Sequence, residues 1–514
     1  MKNQKTQTLV RIGLVLGILV VLNVISIRVF GRLDMTSQGV YTLSDASKKL
    51  VGSLDDRVTV KAFFTEDLPA PYNNNRRSVL DILNDYKAYS KGNLQYEFIN
   101  PQGEKAEQDA QQQGVSPVQV QVVNEDKLEV KRGYLGLVLL YEDKKEVLPV
   151  VQNLSSLEYD ISSALKRLTS KSKKKIGYTT GHGETEMSAM RQAYQSVSQQ
   201  YDLTPVNLSK GEVVPQDIEA LLVIAPQNRF QDSAQFQIDQ NIMRGGKVAF
   251  LLNRVNADLK MRMGQPADVG LDDLVQQYGV RVNPDLIRDA QCANISVMQQ
   301  QGGFTFQSQV PFPYIPVASN FSSNPIVKDL QGVILAFVSS VDTTGAAAKG
   351  VKSEVLIRSS KHSGRQTGMF MIDPFQRYTA ADLAEDAIPL AAIVEGSFKS
   401  YFVGKQPAAV VTTSPQTRII VVGDGDFMKD EMLGNKGNLT FFANIIDYLA
   451  DDAGLITIRS KNVATPPLDQ ISDGTKRTLK YTNLIGPPLL IIVYGLFRWR
   501  KRVGLKKAME AQSL

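Results

Sequence analysis

The sequence predicts an α/β protein held in a membrane at both ends, with a small and a larger α/β domain between two transmembrane helices. Three observations carry that expectation. An uncharged apolar stretch lies near each terminus, residues 57–151 switch between strand and helix periods, and apolar strand runs alternate with helices from Ile176 onward. The 514 residues exceed what one core usually holds, and 43% hydrophobic with 21% charged residues excludes a mainly disordered chain. A single cysteine, Cys292, excludes internal disulfides and cysteine-rich metal frameworks, and two histidines, His182 and His362, speak against a His-cluster metal enzyme. No cofactor is expected, and whether a metal binds is left open.

The first span is expected over 9–30, after a cytoplasmic tail at 1–8. Ile12–Ile27 carries no charge and is bounded by Arg11 and Arg28, which can snorkel to the interfaces of a bilayer core about 30 Å thick. The second span is expected over 481–497, ahead of a basic tail at 498–514. Pro487 and Pro488 fall near its start, where helices tolerate proline, and Trp499 suits the interface. Arg498, Arg500, Lys501, Arg502, Lys506 and Lys507 follow at once, so the positive-inside rule places the C-terminus in the cytoplasm, and two spans return the N-terminus there too. The net charge of +6 therefore sits at the two ends. The folded bulk has no basic excess, which argues against a nucleic-acid partner and leaves membrane lipid as the contact of the ends.

Between the spans, 31–170 is expected to fold as a small α/β domain. Val58, Val60, Ala62 and Phe64 alternate as in a strand, Val79, Leu83 and Tyr86 follow helical spacing, and Leu94, Tyr96 and Phe98 alternate again. A polar helix over 103–114, the Ser116-Pro117 step, then strands at Tyr134–Tyr141 and Lys145–Val151 complete the order of a thioredoxin-like fold. Glu66-Asp67-Leu68-Pro69 stands where Cys-x-x-Cys would, so redox chemistry is excluded and a binding module is expected. Ser116-Pro117 is a candidate cis step. Ser155-x-x-Glu158 reads as a capping box opening the next helix, and the Lys171–Lys175 run reads as a solvated linker rather than a basic binding patch.

The segment 171–450 is expected to be a larger parallel-sheet domain. Its strand candidates are Ile176–Thr180, Asp202–Leu208, Glu219–Ala225, Lys247–Leu252 and Arg418–Val422; its helix candidates are Thr185–Gln200, Ser233–Arg244, Leu271–Tyr278 and Leu439–Leu449. Residues from about 290 to 412 break that rhythm and read as an insertion of short strands and loops, and 451–480 reads as a polar stalk.

Two loops carry candidate chemistry. Gly181-His182-Gly183-Glu184 follows the first strand of the large domain and Gly423-Asp424-Gly425-Asp426 follows the last, at the carboxyl ends where open parallel sheets bind ligands. His182, Glu184, Asp424 and Asp426 are the candidate ligand-binding residues. If the loops converge, their three carboxylates call for a cation, and a hard one such as Ca²⁺ or Mg²⁺ suits them better than zinc. The competing reading is that the glycines make turns and the acids cap the following helices. Glu186 occupies the third glycine position of a dinucleotide fingerprint, and neither a G-x-x-x-x-G-K-[ST] phosphate loop nor a G-x-S-x-G elbow occurs. Catalysis is therefore not expected of this chain.

Several motifs in order resemble a known family. Arg32-Leu33-Asp34-Met35-Thr36 with Tyr41-Thr42-Leu43-Ser44, Gly181–Glu184, Val421–Phe427 and the Pro487–Arg502 ending resemble the GldG-like ABC-transporter auxiliary proteins, associated with gliding motility in some bacteria. The resemblance implies a non-ATPase auxiliary subunit that works beside a separate ABC ATPase subunit and a polytopic permease subunit in the cytoplasmic (inner) membrane, with the bulk of the chain extracytoplasmic. It also implies a flavodoxin-like or class I amidotransferase-like fold for the larger domain. The nucleophilic cysteine of those amidotransferases has no counterpart, since Cys292 does not stand at a strand-to-helix elbow, and the resemblance supplies no site residues. Two alternatives remain open: an envelope hydrolase or polysaccharide-modifying enzyme using His182 with the Asp424/Asp426 loop, and a structural component of a motility machine. Homo-oligomerisation is left open as well.

Overall fold

A computed structural model of the chain describes residues 42–460 and 473–511, apart from 67, 69–71, 125–126, 152–153, 171, 302–303, 329, 433–435 and 451–452, together with 13–15, 17 and 18. The rest of the first expected span, the Arg32–Thr36 motif and Tyr41 lie outside the described residues. The fold is mixed α/β with several sheets.

In the N-terminal lobe, β1 (Val58–Phe64) pairs in parallel with β2 (Leu94–Ile99) and antiparallel with the second half of β4 (Lys127–Tyr141). The first half of β4 pairs with β3 (Pro117–Asn124), and β5 (Lys144–Leu148) adds to its other edge. The alternation in β1 sorts its side chains between two layers. Val58, Val60, Ala62 and Phe64 pack with α1 (Asp45–Gly52), α2 (Asn75–Tyr89) and α4 (Leu157–Thr169), whereas Phe63 packs with Ala110 of α3 (Glu104–Gln112). The Ser116-Pro117 step is trans; among the described residues the cis peptide is Gln406-Pro407.

Glu158 does not close a capping box on its own helix. A 3₁₀ turn, Leu154–Ser156, makes Ser156 the N-cap of α4, which leaves Glu158 one residue short of the position a capping box requires. Its carboxylate reaches the start of α1 instead. Oε1 accepts from the Ser44 amide (2.7 Å) and the Ser47 hydroxyl (2.7 Å), while Ser44 caps α1 through the Ser47 amide. An acid at a helix N-terminus meets the exposed amides and the positive end of the dipole.

The large domain is built on eight strands, of which five are parallel. These are β6 (Lys174–Thr180), β7 (Tyr201–Asn207), β8 (Ile218–Ile224), β9 (Lys247–Leu251) and, after an antiparallel extension made of β10 (Asn320–Phe321), β11 (Lys352–Arg358) and β12 (Pro389–Lys399), the closing β13 (Thr413–Val422). The order across the sheet is β10-β11-β12-β13-β9-β8-β6-β7. Within the parallel part the chain order is thus 2-1-3-4-5, with its reversal between β6 and β8. Apolar runs such as Leu221-Leu222-Val223 bury both faces. Leu222 faces α5 (Arg191–Ser198) and a later helix, while Leu221 and Val223 face α6 (Asp232–Met243) and α7 (Asp272–Gln277). That later helix is α8 (Lys436–Leu449), which buries Phe441, Ile445 and Ile446.

The expected insertion is less of an appendage than its composition suggests. Besides β10–β12 it contains a long hairpin, Cys292–Gln301 with Phe304–Ala318. The expected polar stalk likewise begins with a packed helix, α9 (Ala453–Ser460), which buries Leu455, Ile456 and Ile458. Arg459 on α9 pairs with Asp447 of α8 (2.8 Å) and donates to the Tyr159 hydroxyl of α4 (2.6 Å), so three helices of the two lobes meet at one guanidinium.

The last element, α10 (Asp473–Ala511), is a separate unit. Its Gly474–Val503 portion is long and apolar enough to cross a membrane, the one such helix among the described residues. Pro487 and Pro488 fall inside it, since the helix starts at Asp473 and not near Tyr481.

Candidate functional site

β6 delivers the Gly-His-Gly-Glu turn to the carboxyl edge of the sheet. Gly181 has φ +100°, and a Cβ there would meet Ser209 Oγ at 2.3 Å, so both conformation and space require glycine. The turn then folds inward. His182 is buried, its ring stacks on Phe230 at 3.8 Å, and its carbonyl accepts from the amides of Gln227 (2.9 Å) and Asn228 (2.8 Å). Glu184 Oε2 accepts from the His182 amide (2.6 Å), and Oε1 lies 3.7 Å from Nδ1. Burial lowers the His182 imidazole from its ordinary value against the pull of Glu184, which favours the neutral ring. The carbonyl and ring of His182 pin this turn to the one after β8, and Glu184 braces the turn from within.

β13 delivers the second loop. Asp424 is fully buried: Oδ2 accepts from the Ala336 amide (2.8 Å) and Oδ1 from the Asp426 amide (2.7 Å). It therefore staples the insertion to the end of β13. Burial, with the Asp426 charge beside it, pushes this carboxyl up to about 8. Asp426 points outward; Oδ2 accepts from Asn253 Nδ2 (3.0 Å), and Lys429 Nζ lies 2.8 Å from Oδ1. Asn253 Oδ1 in turn accepts from the Gly425 amide (2.7 Å).

The loops converge on a cleft of about 720 Å³ that takes in Gly183, Glu186, Asn253, Asp426, Lys429 and Glu431. Of the residues singled out by sequence, Asp426 lines it; His182, Glu184 and Asp424 lie behind its wall. Among the described residues no group of three His, Cys, Asp or Glu side chains is placed to hold a metal ion. The cleft suits a polar organic ligand, with amide, carboxylate and ammonium groups at its rim. Sequence reasoning missed Asn253, Lys429, Glu186 and Glu431. Asn253 had a usable signal, because it follows β9 at the same sheet edge as the two glycine loops.

The state of Asp424 has a measurable consequence. Its carboxyl binds a proton more tightly folded (about 8) than at its ordinary value of 3.8. The contribution to stability is therefore fully present below about pH 4 and is lost as pH rises through about 8. In urea melts at pH 5 and pH 9, Asp424→Asn is expected to gain on wild type at the higher pH. An equal stability difference at both values would contradict the assignment.

Residues 173–451 match a protein family described as an ABC-type uncharacterized transport system, and residues 37–140 match a domain of unknown function. An uncharacterized protein of Borreliella burgdorferi is 24% identical over 522 residues, covering 98% of this chain and 99% of its own length. Among solved structures, the mmIFT52 N-terminal domain aligns with 54% of this chain and 96% of its own at 11% identity and a TM-score of 0.33. PurLQS from Thermotoga maritima aligns with 54% of this chain and 100% of its own at 9% identity and a TM-score of 0.26. Scores that low carry no functional argument.

Proposed function

The chain belongs to the auxiliary family of ABC-type uncharacterized transport systems, matched over 173–451, and from that premise we propose that it is an extracytoplasmic, membrane-anchored subunit that binds and couples while a separate subunit hydrolyses ATP. The family match over the doubly wound domain is the observation that carries this reading. The absence of a phosphate loop from the sequence supports the division of labour. The partners are then an ABC ATPase subunit and a polytopic permease, in a system serving gliding motility or another envelope function.

A flavodoxin-like reading of the large domain draws support from its 2-1-3-4-5 strand order, which puts ligand sites at the carboxyl edge. A thioredoxin-like reading of the N-terminal lobe draws support from β1 and β2 in parallel beside the antiparallel β4 and β5. With Glu66 and Asp67 in place of cysteines, that lobe serves assembly. The length and apolarity of α10 and the basic residues after Phe497 support an anchor with a cytoplasmic end.

Mild-detergent purification of the tagged chain from its native membranes is expected to bring down a P-loop ATPase and a multi-span permease in fixed ratio. Recovery of the chain with neither, from membranes that contain both, would overturn the proposal. Topology is read separately with reporter fusions. A periplasm-dependent reporter inserted between Gln301 and Phe304 is expected to be active, and one at either terminus silent. Activity at a terminus would remove the two-pass arrangement.

A further inference from the structure

A small sheet of three short strands, Val255–Asp258, Met263–Pro266 and Phe370–Met371, has one face in the core and the other in solvent. The inner face carries Val255 and Phe370, which with the following Ile372 pack among Leu286, Phe312 and Tyr314. Side chains alternate between the faces of a strand. Met263 and its cross-strand neighbour Met371 therefore point outward, and Met369 lies two residues before Met371. The four-residue turn before Met263 adds Leu259 and Met261. Asp258 Oδ1 fixes that turn by accepting from the Lys260 (2.7 Å) and Met261 (3.0 Å) amides. Phe375 joins through Arg262, whose guanidinium lies 5.8 Å from the centre of its ring.

Leu259, Met261, Met263, Met369, Met371 and Phe375 are 39–73% exposed. Together they present on the order of 600 Å² of surface, at the upper end of the largest apolar patch on a typical monomer (roughly 300–600 Å²). Such a patch marks an interaction site, and two observations favour a second copy of this chain as its occupant. The first is area. Covering the patch on each of two copies removes about 1,200 Å² from water, which reaches the size of a specific, stable interface. The second is charge. Within 258–263 and 369–375 the carboxylates of Asp258 and Asp373 balance Lys260 and Arg262, and Arg262 meets Asp373 at 3.5 Å. A balanced face is not drawn to the anionic headgroups of a bilayer, and it does not repel its own copy across a two-fold axis. Methionine suits this contact, because its unbranched side chain repacks readily against another.

We propose that this methionine-rich face is the interface of a homodimer, in which a second copy of the chain covers it across a two-fold axis. The contact does not depend on the transport reading, because it requires no other kind of subunit.

The full chain is tested in isolated membranes with a bismaleimide cross-linker, in a Cys292→Ser background that carries Met371→Cys. Val410→Cys, at a side chain that is 83% exposed, is the control. A product of twice the chain mass is expected from position 371 and none from position 410. Adding Met261→Asp with Met369→Asp places unpaired carboxylates in the contact, and the product is expected to fall by about tenfold or more with the melting temperature unchanged. Should Met371→Cys itself disturb folding, Met263→Cys on the neighbouring strand carries the same test. No product at either position, or a product that the two aspartates leave unchanged, overturns the proposal. A product with a different polypeptide assigns the face to another subunit. A nitroxide at position 371 relaxed by oxygen in preference to a water-soluble nickel chelate assigns it to the bilayer. Either of these results overturns the homodimer as well.

Discussion

Arg459→Ala is expected to destabilise the folded unit ahead of α10 by about 3–5 kcal/mol, the cost of leaving a buried charge without its partner. Asp447 is fully buried, accepts from the Tyr201 hydroxyl (2.7 Å) and meets the Arg459 guanidinium at 2.8 Å. The same guanidinium donates to Asn444 Oδ1 (2.7 Å) and the Tyr159 hydroxyl (2.6 Å), and lies 4.7 Å from the centre of the Tyr159 ring. Removing it strands a carboxylate where water cannot solvate it and frees α9 from α4. Apolar replacement of both charges, Arg459→Met with Asp447→Leu, is expected to recover most of the loss, because no ion is then left unpaired. Urea unfolding of wild type and the two variants separates the cases. A double variant as unstable as the single one would show that packing, and not the stranded charge, sets the cost.

Gly423→Ala is expected to be at least as damaging, at about 3 kcal/mol or more, through overpacking against backbone. A Cβ at this position would lie 1.9 Å from the Ser339 carbonyl oxygen. Neither segment can yield: the Gly423 carbonyl accepts from the Ser339 amide (2.8 Å), and the Gly423 amide donates to the Leu390 carbonyl (3.0 Å). Gly345→Ala is the control. Its added methyl would make its nearest contact at an ordinary 3.6 Å, at the start of a short helix, and a change within about 1 kcal/mol is expected. Thermal melting that finds Gly423→Ala indistinguishable from Gly345→Ala would remove the close-approach argument.

Both glycine loops could be placed from sequence because strand period and glycine position are local properties. Ile176–Thr180 and Ile419-Ile420-Val421-Val422 read as strands of one parallel sheet, so the glycine loop that follows each falls at the same sheet edge. The inward turn of His182 and Asp424 was not legible, since it depends on Phe230 and on the Ala336 amide, which are distant in the chain. Glu158 failed as a capping box for a related reason. A 3₁₀ turn of one residue's difference moved it out of register, and a helix start more than a hundred residues earlier took its carboxylate. The polar composition after residue 451 hid α9, because its few apolar residues become informative only once the two lobes they cover are in place.

The bridge from Tyr159 to Arg459 joins residues 300 positions apart. At a synthesis rate of about 5–20 residues per second, on the order of 15–60 s pass between the emergence of α4 and the arrival of α9. Through that interval the faces of α1 and α4 that α9 covers stay open. Closure must wait for the last turn before the C-terminal unit, so the lobe made first is finished last. Folding of this protein is therefore paced by its own elongation, and a truncation ahead of α9 would leave a nascent surface suited to a holdase chaperone.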